Sequence, residues 1–345
     1  MKLIKDLVRF LKVTVLYLKV GLSGVTVKKA YVMIRYWFLT AVLKKQVPWI
    51  LELSITYLCN CRCKHCSVSN YFLDAKADGE LTTDELGRIM TEACQMGLPK
   101  VDFFGGEPLI RKDIVELVRR ATALGLYSSV TTNGWFLTPE LILELKQAGI
   151  NCINVSLDDV TKEGHDLSRA TPGAFEKAIA AIKACRQAGV ACIVSTYVTR
   201  RKIENFAPGE KDNSALSAII RLSKQLQATG IRILFPIIAG EWVKQKDVEL
   251  SDAEKAGVIG AIDPAFAFIE GAYSVQAGHK VCQALKGKLI NISPKGDLQL
   301  CVAFPHAFGN VKDAPLEEAV RKMWEHPIYK KNENDSCCST EDLKT

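Results

Sequence analysis

Residues 56–66 read Thr56-Tyr57-Leu58-Cys59-Asn60-Cys61-Arg62-Cys63-Lys64-His65-Cys66, directly after the apolar, β-branched run Trp49–Thr56. Cys59, Cys63 and Cys66 have the spacing C-x3-C-x2-C. A compact loop brings three such thiolates onto three corners of an iron–sulfur cube, which ordinarily takes four cysteines and here leaves one iron open to an outside ligand. The same triplet suits a tetrahedral zinc ion. Cys61 falls between two of the three and does not readily join their face. A cysteine loop at the C-terminal end of a first strand makes the ends of the later strands important, because parallel α/β barrels gather their chemistry there.

Short strand-like runs then alternate with helical ones. The strand candidates are Trp49–Thr56, Lys100–Phe104, Tyr127–Thr131, Ile150–Ser156, Ala191–Val198 and Ile231–Pro236. Helical stretches cover Thr83–Met96, Lys112–Leu124, Pro139–Ala148, Gly173–Ala188 and Ser214–Thr229. Gly97, Gly125, Gly149, Gly189 and Gly230 each follow one of these, where glycine accepts the left-handed turn that ends a helix. The rhythm predicts an α/β fold, a partial (βα)6 TIM-like barrel with helices outside. It stops near residue 240. The predicted organisation is therefore a helical segment over residues 1–48, a core over 49–240, and a small cysteine-bearing α+β extension over 241–345.

Composition agrees with a folded globular chain: 345 residues, 48% hydrophobic and 24% charged. Twelve cysteines are too sparse for a secreted disulfide scaffold, and their clustering favours metal binding in a reducing compartment. The net charge of +7 is unevenly placed. Residues 1–45 hold ten Lys or Arg and one acid, Asp6, whereas the body is nearly neutral. A nucleic-acid enzyme would spread basic charge over its body, so no nucleic-acid partner is expected. Ile4, Leu7, Leu11, Val15, Leu18 and Leu22 recur at helical spacing, with Lys2, Lys5, Arg9, Lys12 and Lys19 on another face. No apolar run here exceeds eight residues, against roughly 20 for a spanning helix. No signal peptide is apparent either. The segment reads as an interfacial helix on an anionic membrane surface; the alternative is a helix pair packed on the body.

Two further motifs come after successive strands: Phe104-Gly105-Gly106-Glu107-Pro108, and Ser156-Leu157-Asp158 with His165, Asp166 and Arg169. With the cysteine triplet they resemble the radical S-adenosylmethionine (SAM) superfamily, whose signature is C-x3-C-x2-aromatic-C, with His65 in the aromatic place. The resemblance implies a [4Fe-4S] cluster on Cys59, Cys63 and Cys66 that binds SAM at its open iron. It implies that one electron cleaves SAM to methionine and a 5′-deoxyadenosyl radical, which abstracts a substrate hydrogen. Gly105, Gly106 and Glu107 would lie against the methionine amino group, and Ser156 and Arg169 would hold its carboxylate. Thr132-Asn133-Gly134 also matches a common family pattern.

Cys282, Gly296 and Cys301 form C-x13-G-x4-C, which resembles the opening of SPASM and Twitch extensions. Residues 290–298 read as strand, turn, strand, and Pro315–Lys331 as a helix. The resemblance implies one auxiliary [4Fe-4S] cluster on Cys282 and Cys301, with Cys337, Cys338 or both completing it; a zinc staple is the alternative. Cys94, Cys152, Cys185 and Cys192 read as core residues, His165 as structural, and His279, His306 and His326 as surface residues. Asp158, Glu241 and Trp242, near strand ends, are candidates to meet substrate. The reading is thus an anaerobic, cytoplasm-facing radical SAM enzyme with a flavodoxin- or ferredoxin-like electron donor, and its basic segment points toward a lipid or lipid-linked substrate. Its rivals are a ribosomal peptide maturase and a non-catalytic iron–sulfur or zinc protein.

Overall fold

The computed structural model describes residues 11–331 except 13, 17, 70–77, 207–213, 238, 246–247, 270–273 and 277–278. Six parallel strands, β1 (Ile50–Thr56), β2 (Lys100–Gly105), β3 (Tyr127–Thr132), β4 (Cys152–Ser156), β5 (Cys192–Tyr197) and β6 (Gly230–Leu234), pair in chain order. The intervening helices are Thr83–Met96, Ile114–Leu124, Pro139–Ala148, Ala174–Ala188 and Ala215–Gln225, within a few residues of the sequence reading. A short helix, Lys162–Arg169, is added after β4. Three of these helices begin on side-chain caps: Thr82, Thr138 and Ser214 each accept from a backbone N–H in the first turn. Gly97, Gly125, Gly149 and Gly189 end theirs at positive φ, as expected. Gly230 does not; Gln227 supplies the left-handed turn, and Gly230 opens β6, where a Cβ would stand 2.9 Å from Leu16 and from the Phe266 carbonyl.

The sheet is open and continues past both ends of the barrel. β7 (Ala267–Ile269) pairs parallel with β6. β8 (Ser274–Gln276) and β9 (His279–Val281) form a separate two-stranded ribbon. β10 (Leu289–Ile292) then pairs parallel with β1, and β11 (Asp297–Cys301) and β12 (Phe304–Asn310) extend that edge antiparallel. The expected hairpin is therefore present, but as part of the barrel's own sheet. The expected helix 315–331 is broken into Leu316–Glu325 and Ile328–Lys331, with Pro327 between them, as proline's missing N–H dictates.

Alternation along the strands separates two environments. Leu51, Leu53, Ile55, Val101, Phe103, Val130, Ile153, Val155, Ile231 and Ile233 belong to the main apolar core with the helices. Many of the intervening positions are polar and bonded between neighbouring strands, although Phe104 and Leu234 also fall on this side. Ser129 and Thr131 donate to Asp102 at 2.5 and 3.1 Å, Asn154 donates to Thr131 at 3.1 Å, and Arg232 donates to Ser195 at 2.7 Å. Packed TIM barrels fill this space with branched apolar side chains; here it is a polar wall.

The N-terminal segment closes the lower end of the barrel. The helix Val27–Trp37 starts on Thr26, and residues described between 11 and 21 are helical too. Lys29 donates to the Gly149 carbonyl at 2.6 Å and to Asn151 at 2.5 Å, and Arg35 to the Cys94 and Gln95 carbonyls, both at 2.7 Å. These carbonyls end barrel helices, where a cation meets the negative end of the helix dipole. Lys12 pairs with Asp263 at 3.2 Å. Part of the basic charge thus serves packing, as the helix-pair alternative required. Among the described residues no helix is long and apolar enough to cross a membrane.

Candidate active site

A cavity opens at the C-terminal ends of the strands. It encloses about 780 Å³ of space, its open mouth included. Cys59, Cys63 and Cys66 line it together with Gly105, Gly106, Ser156 and Arg169. Seven residues from three separate motifs therefore share one wall. Cys61 and His65 line it too, as do Thr131, Asn133, Ser195, Tyr197 and Arg232.

The cysteine loop is held by backbone more than by side chains. Gly106 N–H donates to the Thr56 carbonyl at 2.7 Å and Glu107 N–H to the Leu58 carbonyl at 2.8 Å. A Cβ on Gly105 would lie 2.3 Å from the Thr56 oxygen, and one on Gly106 2.2 Å from that of Leu58. Gly105 also has φ of +131°. These glycines let β2 close against the root of the loop, a reason for them that holds without any ligand. Farther on, Arg62 and Lys64 N–H donate to the Arg169 and Ser168 carbonyls, and Glu241 N–H to that of Cys66 at 2.9 Å. Three distant segments thus fix one loop.

Glu107 departs from expectation: it is fully buried and does not line the cavity. Its carboxylate accepts from Thr132 Oγ1 at 2.7 Å, Asn133 N–H at 2.8 Å and Leu109 N–H at 3.1 Å. Burial pushes its pKa up to about 7 despite those donors. What it secures is the turn after β3, which in turn presents Asn133 to Asn60 of the cysteine loop at 2.8 Å.

Arg169 does reach the cavity, already partnered. It pairs with buried Asp158 at 2.7 Å, and its Nη1 lies 3.5 Å from the Cys63 sulfur. Burial opposes the Asp158 charge, but the Arg169 guanidinium outweighs it and holds the carboxyl well below the usual range. Asp158, a candidate to meet substrate, is thus a partner of Arg169. Asp158 Oδ1, Arg169 Nε and Asn60 Nδ2 are buried without hydrogen-bond partners among the described residues. Such groups are costly unless a ligand or water meets them.

His65 anchors an aromatic group beneath the loop, its ring centroid 5.2 Å from Tyr197 and 5.8 Å from Trp242. Burial lowers its pKa to about 3, so it is neutral, and its Nδ1 lies 3.1 Å from Ser168 Oγ. Trp242 is buried here, and Glu241 pairs with Lys244. His165 accepts from the Asp158 N–H, a structural role as read. Tyr197, Arg232, Ser195 and Thr131 were not singled out in the sequence. Only their alternate spacing near strand C-termini could have found them.

In the extension, buried Cys282 sits in a small apolar cluster with Leu285, Leu300, Phe304 and Ile328, against which Cys301 packs. Burial raises the Cys282 pKa. Cys337 and Cys338 lie outside the described residues. Cys152, Cys185 and Cys192 are buried and Cys94 half-buried, as read. His306 and His326 are half-buried around Phe308 rather than free on the surface. Among the described residues no three His, Cys, Asp or Glu gather closely enough for a single metal ion.

The chain matches the radical SAM superfamily over residues 53–205. It carries a radical SAM domain. Its sequence is 33% identical over 208 residues to the AdoMet-dependent heme synthase of Methanosarcina barkeri, covering 60% of this chain and 56% of that protein. It is 27% identical over 287 residues to the PqqA peptide cyclase of Granulibacter bethesdensis, covering 80% and 74%. Against heme synthases the match spans about half of those proteins' length. Streptococcus suis SuiB bound to S-adenosylmethionine shares the fold at a TM-score of 0.68 and 16% identity, over 88% of this chain and 72% of that one. So does anSMEcpe bound to AdoMet and a Cp18Cys peptide, at 0.61 and 16%, over 86% of each. These solved neighbours share the open, partial barrel described above.

The cavity fits the cofactors of that family. The Cys59, Cys63 and Cys66 thiols face it with that of Cys61, and Arg169 Nε in its wall is buried with no hydrogen-bond partner among the described residues.

Proposed function

We propose that the chain is a radical SAM enzyme in which Cys59, Cys63 and Cys66 hold a [4Fe-4S] cluster and the neighbouring polar groups receive SAM. The observation that carries this is the convergence of those thiols with Gly105, Gly106, Ser156 and Arg169 on one cavity. When bound, the two cofactors supply one-electron cleavage of SAM to methionine and a 5′-deoxyadenosyl radical that abstracts hydrogen from a substrate. The protein's part is placement and exclusion of quenchers. Arg169, kept cationic by Asp158, and the Ser156 hydroxyl suit the SAM carboxylate. Glu107 serves by fixing the Asn133 turn and so the loop itself. The polar wall around Thr131, Ser195 and Arg232 faces whatever enters beneath the cofactors.

Residues 49–240 act as the core in this reading, and 241–345 as the auxiliary-cluster extension. Cys282 and Cys301 share one patch there, as two ligands of a second [4Fe-4S] cluster would; Cys337, Cys338 or both complete it. For the substrate, a peptide is favoured over a lipid. The match to a peptide cyclase runs through 80% of this chain, and the described part of residues 1–48 is helical, so peptide recognition falls to a separate protein. A flavodoxin- or ferredoxin-like donor supplies the electron in the cytoplasm. An anionic membrane surface, the other expected partner, concerns a different face of the molecule and stands or falls separately.

The test is anaerobic reconstitution with iron and sulfide, iron counting, and a dithionite-driven assay for 5′-deoxyadenosine. About eight irons with nucleoside formed supports both clusters. About four with activity keeps the core and removes the auxiliary cluster. Bound zinc with neither iron nor nucleoside refutes the enzyme and leaves the binding protein.

A further inference from the structure

We infer that the underside of the barrel is a docking face for an anionic lipid bilayer, and that docking there turns the cavity mouth toward the aqueous side. The N-terminal helices are amphipathic, but inside out. In the stretch 11–22, Leu11, Val15, Leu18 and Leu22 recur on one face and are 44–69% exposed. On the next helix Tyr31, Ile34, Trp37 and Phe38 are likewise 47–65% exposed. A helix packed on a soluble body turns such a stripe inward. Exposed apolar surface this extensive and contiguous in pattern marks an interaction face.

The opposite faces cannot release the helices to roll over. Leu16 and Val32 are buried, Leu16 standing under Gly230 and Val32 under Gly125. Lys29 and Arg35 are bonded to carbonyls at the ends of barrel helices, and Lys12 to Asp263. Both helices therefore present their stripes away from the barrel, beneath the N-terminal ends of its strands. The cavity lies at the C-terminal ends.

Charge decides the occupant. Residues 1–45 carry ten cations against one acid; Lys12, Lys28, Lys29 and Arg35 are bonded to the barrel, while exposed Lys19, Lys44 and Lys45 adjoin Leu18 and Leu43 of the apolar surface. A second copy docked face to face would set this excess against itself. Anionic headgroups complement it, with aromatic and aliphatic side chains entering the interface between them. Tyr31 and Trp37 are of the kind enriched at that level. A substrate then reaches the cavity from the water and not from the bilayer beneath, which removes the reason for a lipid substrate.

The experiment is flotation of the full-length, anaerobically reconstituted protein with vesicles of phosphatidylcholine alone or with phosphatidylglycerol. Binding is expected only to the anionic vesicles and should weaken with salt. Ile34→Glu/Trp37→Glu, at exposed positions, should lower binding by about tenfold or more with unchanged thermal melting and 5′-deoxyadenosine formation. Brominated acyl chains should quench the native protein's fluorescence, and Trp37→Leu should lose most of that quenching while still binding. Failure to float, equal binding to both vesicles, or undiminished binding of the double variant overturns the inference. A dimer in vesicle-free solution that the same substitutions dissociate gives the face to a second copy instead. The nucleoside assay reports on the radical chemistry independently, so either reading can fail alone.

Discussion

The molecule holds two cysteine neighbourhoods, and they are built in opposite ways. The loop at Cys59–Cys66 is specified by backbone: β2, the segment 168–169 and residue 241 each donate to it or accept from it. Polar groups line its cavity, and Arg169 Nε there is buried without a partner among the described residues. Cys282 and Cys301 sit instead among apolar side chains, at the end of a ribbon and a hairpin strand. The first neighbourhood is fixed by hydrogen bonds from three segments, the kind of support that the proposed radical chemistry would need. The second gets its shape from packing, and in the proposed reading draws its remaining ligands from the tail.

The largest effect expected is on the first loop. Cys63→Ala should lower 5′-deoxyadenosine formation by about a thousandfold or more, while Cys61→Ala retains most of it. Equal loss in both would mean that different thiols hold the cluster. Gly105→Ala tests the backbone argument: it forces a Cβ against the Thr56 oxygen at a left-handed φ. It should cost about 3 kcal/mol in chemical denaturation and lower iron loading with every cysteine in place. Asp158→Asn strips the buried partner from Arg169 and should cost a similar 3 kcal/mol or so. Its SAM cleavage should fall as well, measured at saturating reductant. Cys282→Ala should leave about four of eight irons and nucleoside formation within about threefold, separating the neighbourhoods cleanly. Loss of all iron would join them into one unit.

The smallest effect is a slope with pH. Burial raises Glu107 from 4.5 to about 7, so between those values the folded protein holds a proton that the unfolded chain has released. Its contribution is complete below about pH 4.5 and is lost as pH rises through 7. Anaerobic urea unfolding of the native chain should therefore lose stability over this window relative to Glu107→Gln. Parallel curves would show that the carboxylate ionises normally in the fold.

The barrel was legible because its signals are local. Six strand runs, five helices and four of the five C-terminal glycines fell where the periodicity put them. Gly230 misled because glycine at that spot answers crowding by Leu16, a residue far away in sequence. The pairing of β10 with β1 left no trace in either strand alone, since parallel partners carry no turn between them. In the site, the cysteines could be read from spacing and Gly105-Gly106-Glu107 from the family resemblance, but not that Glu107 turns away from the cavity toward Thr132 and Asn133. Tyr197 and Arg232 enter only through their strands' position in the barrel. For the N-terminal helices the pattern showed an apolar face, and the packing of Lys29 and Arg35 decided which way it points.

The parallel pairing of Ile50 with Leu289 also sets a schedule for synthesis. β1 emerges early and can take β2 at once on one side, but its other edge must wait for nearly the whole chain. At about 5–20 residues per second that wait is on the order of tens of seconds. Throughout it, Leu51, Leu53 and Ile55 stand in a strand with one open ladder, a template for any other extended segment nearby. The cysteine loop hangs from the end of that same strand. Overproduction that outruns the last third of the chain should therefore yield aggregates seeded at β1, and a chain cut before residue 282 would keep that open edge for good.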